Sequence, residues 1–82
     1  MEYSQIYAKR IRDLCTQHHI TINKLAVTAG LKQSTVDNII RGTSKNPKVK
    51  TLHQIAAVFG MTLSQFLDFP ELNDYSLDDE DN

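Results

Sequence analysis

Residues 22–41 read INKLAVTAGLKQSTVDNIIR, and this stretch decides the fold. Leu25 and Ala26 lie about one turn before Ala29, and Gly30-Leu31 interrupts the pattern. Val36 and Ile39 then restore an apolar face. The spacing predicts two short helices, about 22–29 and 33–40, joined by a tight turn. Ala26 is small enough for the second helix to lie across the first. Gly30 can take the positive φ that ends a helix without Cβ strain. The polar face left over carries Lys32, Gln33, Ser34 and Asn38. These side chains can hydrogen-bond base edges and phosphates.

Upstream, Ser4 can cap a first helix whose apolar face is Tyr7, Ile11, Leu14, Cys15 and His18. Lys9, Arg10, Arg12 and Asp13 lie off that face. The helix is expected to end near His18-His19, with Ile20 as a buried anchor and Thr21 as the next N-cap. Downstream, Gly42 stops the third helix, and residues 43–48 form a polar loop in which Pro47 biases Asn46 away from helix. Val49, Leu52, Ile55, Ala56 and Phe59 mark the inner face of a fourth helix closed by Gly60. Residues 62–65 have the form of a capping box. They open a short fifth helix burying Leu63, Phe66 and Leu67. Pro70 is expected to end a domain of residues 1–70, leaving 71–82 as an acidic, flexible tail. No repeat and no strand-like alternation is present. The expected fold is all-α, with five helices.

The net charge of −1 over 82 residues hides an asymmetry. Residues 1–70 hold all nine Lys and Arg against four acids (Glu2, Asp13, Asp37, Asp68), a net +5. Residues 71–82 hold six acids and no base. A basic body suits a nucleic-acid binder, and a solvated surface with a solubilising tail explains the charge equally well. No apolar run is long enough to span a bilayer, and Met1-Glu2-Tyr3-Ser4 is not a basic stretch leading into an apolar one. A soluble, cytoplasmic protein is expected. Cys15 is alone, which excludes an intramolecular disulfide and a cysteine metal cage. Cys15, His18, His19 and His53 are read as a core thiol and ordinary histidines rather than as metal ligands. No cofactor is implied. No nucleophile–base set or phosphate loop is present, so an enzyme is not expected.

From about Tyr7 to Leu67 the chain resembles the Cro- and lambda-repressor-like helix-turn-helix domain, also called the XRE family. The resemblance rests on an ordered set. It comprises Arg10-Ile11-Arg12-Asp13-Leu14, Ile20-Thr21, Leu25-Ala26, Ala29-Gly30-Leu31, Ser34-Thr35-Val36, Ile39, Arg41-Gly42, Asn46-Pro47, Leu52, Ile55-Ala56 and Phe59-Gly60. It implies a third helix that enters the DNA major groove, with Gln33, Ser34 and Asn38 at base-reading positions and Lys32 at the groove edge. It further implies phosphate contacts from the start of the second helix (Thr21, Asn23) and from the end of the third helix and the loop after it (Arg41, Thr43, Lys45, Lys48). Many members bind palindromic operators as dimers. Four positions depart from the family pattern. Cys15 and Ile40 stand where the family often has Arg and Glu, which in several relatives make an ion pair between the first and third helices. Ile22 replaces a common Gln, His19 a common Gly, and Lys48 a common Ser cap.

Several readings remain beside these. Lys45, Lys48 and Lys50 are read as a phosphate clamp, helped by Lys24, Lys32 and Arg41, against a loop merely kept soluble by lysines. No aromatic sits among the basic residues, which argues against single-stranded nucleic acid. Phe69, with Met61 and Leu63, makes either a dimer contact or a fold-back onto the core. The acidic tail can be solvated, can fold back on the basic groove, or can take a protein partner through Leu72, Tyr75 and Leu77. The function expected is that of a sequence-specific double-stranded-DNA-binding transcriptional regulator, a repressor of the bacterial or prophage type and a homodimer at least on DNA. The rivals are an antitoxin that binds DNA and a toxin, and a protein–protein adaptor on the same fold.

Overall fold

The computed structural model describes residues 1–79. Its helices are α1 (Tyr3–Gln17), α2 (Ile22–Ala29), α3 (Gln33–Ile40), α4 (Val49–Val58), α5 (Leu63–Leu67) and α6 (Pro70–Asn73), followed by a 3-10 turn at Leu77–Asp79. The described residues contain no strand, as the periodicity requires. Residues 80–82, the end of the expected tail, lie outside the described residues.

The core forms where α1 meets α3, α2 meets α3 and α4, and α4 meets α5. Ile11, Leu25, Val36, Ile39, Ile55 and Phe66 are all but sealed from solvent. Each comes from an apolar stripe with helical spacing, so burial follows the sequence pattern closely. Ile20 is half-buried and packs against this cluster.

Four successive helices end in one closure. Leu31 N–H donates to Ala26 O at 2.9 Å and Gly30 N–H to Val27 O at 3.2 Å. The same pair of bonds recurs at Thr43 and Gly42 after α3 and at Met61 and Gly60 after α4. These are Schellman closures, and each needs one left-handed residue. After α1 that residue is His19, at φ 56°. There Ile20 N–H donates to Cys15 O at 3.0 Å. A non-glycine residue in that region costs about 1–2 kcal/mol. His19→Gly is therefore expected to stabilise the domain by about 1 kcal/mol, raising Tm by roughly 4–8 °C. A melting curve that does not move would refute it.

Several details differ from the sequence reading. Ser4 does not cap α1. Glu2 holds that position without a side-chain bond, and Ser4 is only 5% exposed. Its Oγ lies 3.6 Å from where a Cβ on Gly42 would stand, an ordinary contact distance. Ile6 joins the core because α1 is flanked by α3 and α6 rather than by α3 alone. His18, placed on the buried face, is exposed, although its ring packs on Phe59 with centroids 4.9 Å apart. Val49 was expected on the inner face of α4 and is 64% exposed. It is the first residue of α4, where the side chain tilts back past the end of the core.

The largest difference lies at the C-terminal end. Pro70, expected to end the domain, starts a further short helix, α6. Proline suits this first position, because its missing N–H would have no partner there and its φ is already helical. The helix count is therefore six among the described residues, not five. Phe69 folds back: it is 4% exposed, meets Tyr7 edge-on and lies 5.0 Å below the Arg10 guanidinium.

Candidate nucleic-acid interface

The sequence places Lys32, Gln33, Ser34 and Asn38 on one short rod, and the structure leaves all four exposed. Val36 and Ile39, on the opposite side of α3, are buried. Lys32 is the N-cap of α3 and gives it no side-chain bond, which leaves the ammonium group for other contacts. Gln33 is not idle: its Nε2 donates to Asp37 Oδ1 at 2.9 Å. Asn38 is braced from the following loop. Thr43 donates its hydroxyl to the Asn38 carbonyl at 3.0 Å and approaches Asn38 Oδ1 at 3.4 Å. The Thr43 and Ser44 N–H groups also donate to that carbonyl. Thr43, expected at phosphate, thus spends its own donors on Asn38.

The remaining expected phosphate residues are exposed. Thr21 caps α2 by accepting from Lys24 N–H at 3.0 Å, so its hydroxyl proton is still available. Asn23, Arg41, Lys45 and Lys48 face solvent, as do Lys24 and Lys50. Lys48 precedes α4 without a side-chain cap, as expected of an ammonium group. These cations lie at the start of α2, at the end of α3, in the loop beyond it and in the first turn of α4.

Two other basic residues are absorbed into the scaffold. Arg10 donates from Nε to Phe66 O and from Nη2 to Gln65 O, both at 3.0 Å. Arg12 Nη2 donates to Ile40 O at 2.9 Å. Each guanidinium therefore closes the C-terminal end of another helix, where unpaired carbonyls and the helix dipole favour a cation. The Arg12 bond matters most for the site, because it ties the end of α3 to α1. The family resemblance implies, for several relatives, an ion pair between these helices at the positions of Cys15 and Ile40. Here both residues belong to the apolar cluster, and the polar tie sits one turn earlier on α1. The other end of α3 follows a turn held from α4, where Gln54 Nε2 donates to Ala29 O at 3.1 Å. Sequence spacing gives no signal for Arg12 or Gln54, since their partners are backbone carbonyls far along the chain. The i,i+4 spacing of Gln33 and Asp37 is a local signal that the reading of the sequence did not use.

The acidic segment begins on α1. Lys9 Nζ bonds Asp13 Oδ2 at 2.7 Å and Glu71 Oε2 at 3.1 Å. These bonds raise the Lys9 pKa, with Asp13 the larger cause. The Glu71 carboxyl is held below its usual range, first by a backbone N–H and then by Lys9. Of the three tail residues suited to grip a partner, Leu72 packs against the core and Tyr75 meets Tyr3 edge-on, with centroids 5.0 Å apart. Leu77 is exposed. Burial raises the Cys15 thiol, which keeps it protonated. Among the described residues no group of His, Cys, Asp and Glu is placed to hold a metal, and no helix is long and apolar enough to cross a membrane.

A short exposed helix crossing a second helix through a glycine turn, with cations around it, defines a helix-turn-helix DNA-binding fold. Residues 10–71 match the Cro/C1-type HTH DNA-binding domain, and the chain belongs to that family. Such a domain is a binding module and not an enzyme. The chain is 33% identical over 52 residues to the uncharacterized HTH-type transcriptional regulator RghRB of Bacillus subtilis (strain 168). That match covers 63% of this chain and 37% of that protein, so the chain spans well under half of the relative's length. The crystal structure of the prophage Lp1 protein 11 matches with a TM-score of 0.81 and 34% identity, over 92% of this chain and all of that one.

Proposed function

We propose that this chain is a transcriptional regulator that reads double-stranded DNA with α3 in the major groove. It represses by occupying a promoter. Gln33, Ser34 and Asn38 read base edges, and Lys32 reaches a guanine or a phosphate at the groove edge. Thr21, Asn23, Arg41, Lys45 and Lys48 hold the backbone, while Thr43 braces Asn38. The observation that carries this reading is the exposure of amide and hydroxyl side chains along α3, with cations at both ends of the two-helix unit. Burial of Val36 and Ile39 leaves that polar side as the only outward face of the helix. The simplest target is a palindromic operator bound by a homodimer, with recognition helices about 34 Å apart, one turn of DNA. The protein acts in the cytoplasm, where its operator lies.

Selection of bound duplexes from a randomised library tests the reading. An enriched motif is expected, and an unenriched library would remove the proposal. Gln33→Ala and Asn38→Ala should each cost about 1–3 kcal/mol of discrimination at particular base pairs. Neither should change the slope of affinity against salt, because neither contact releases a counterion.

A further inference from the structure

Asp37 is the only acid between Asp13 and Asp68, and it stands on the helix that carries the reading face. A carboxylate there repels a polyanion. It makes no ion pair among the described residues, so surface charge balance does not account for it. Its bond is to Gln33, whose Nε2 lies 2.9 Å from Oδ1. A carboxylate only accepts hydrogen bonds, so it fixes which end of the amide faces it. Gln33 is then left with one N–H and with Oε1.

We infer that Asp37 is a positioning residue that sets Gln33 to accept adenine and refuse guanine. The inference rests on the proposed reading of DNA by α3. Adenine presents N7 as acceptor and N6–H₂ as donor in the major groove, which matches one amide N–H and one oxygen. Guanine presents two acceptors, N7 and O6, and needs two donors. The pinned amide has only one left, and the nearby carboxylate adds repulsion toward O6. Without Asp37 the amide turns freely and both of its N–H groups become available. Asp37 thus lowers general affinity while raising selectivity at one base pair.

The test uses the full chain and the duplex selected by the wild type. The base pair read by Gln33 is the one that Gln33→Ala relaxes. Adenine-over-guanine preference there is expected to fall about fivefold or more in Asp37→Ala, within the range for a bidentate amide contact. Affinity for random duplex should rise about twofold or more at low salt, because a negative charge has gone. Asp37→Glu keeps a carboxylate at the same helical position and should retain most of the preference. An unchanged preference in Asp37→Ala overturns the inference while the proposed function stands. Specific and random affinities falling together, with a lowered Tm, overturn it in favour of a purely structural role. A wild type with no preference at any base pair overturns both.

Discussion

Cys15→Arg is expected to destabilise the domain by about 3–5 kcal/mol, the cost of a buried charge without a partner. Cys15 is 5% exposed and belongs to the apolar cluster that also receives Ile40. An arginine there brings both charge and volume into a site packed for a thiol. At roughly 4–8 °C per kcal/mol for a domain of this size, the loss should lower Tm by about 12 °C or more. The double substitution with Ile40→Glu should recover a large part of that loss, because it gives the buried guanidinium a carboxylate partner. Thermal melts of the wild type, both single variants and the double variant close the cycle. Strict additivity would mean that the two positions do not meet. The Arg12 bond is accepted by the backbone oxygen of Ile40, so none of the substitutions removes its acceptor.

Replacing Arg41, Lys45 and Lys48 together by alanine should weaken binding to every duplex alike. Three charge-assisted contacts, at about 1.5 kcal/mol each, correspond to a loss of roughly a thousandfold in affinity. The more diagnostic quantity is the salt dependence. Each phosphate contact contributes about 0.9 to the slope of log affinity against log salt, so the triple variant should lose about 2.7. The three residues are exposed and make no ion pair among the described residues, so folding should be unaffected. An unchanged slope would show that these cations do not touch the backbone of DNA. A fall confined to one sequence would place them at bases instead.

Much of this fold was legible because its signals are local. A threonine three residues before an N–H, or a glycine after an apolar stripe, acts within one turn, and the starts of α2 and α5 and the ends of α2, α3 and α4 follow from such pairs. His19 was legible as a departure from glycine, and its left-handed backbone accords with that. The failures are long-range. Ser4 looks like a cap until Gly42 is brought against it. Val49 fits the stripe of α4 by period, but the core ends before reaching it. Arg10 and Arg12 look like surface charge because their partners are carbonyls 28 to 56 residues away. Pro70 was read as the end of the domain, and a sixth helix starting at it was not expected, although proline suits a first helical position. At the candidate site the sequence named the exposed side chains. It did not show that Gln33 and Asn38 are already held by neighbours.

The ties at Ile40 O and Ala29 O mean that the angle of the reading rod is not a property of residues 22–41. Two eight-residue helices are too short to persist alone in water. Excised as a peptide, the segment should be a coil that binds DNA weakly and without preference. Transplanted into another host, it would need an arginine from one neighbour and a glutamine from another before it could point anywhere in particular.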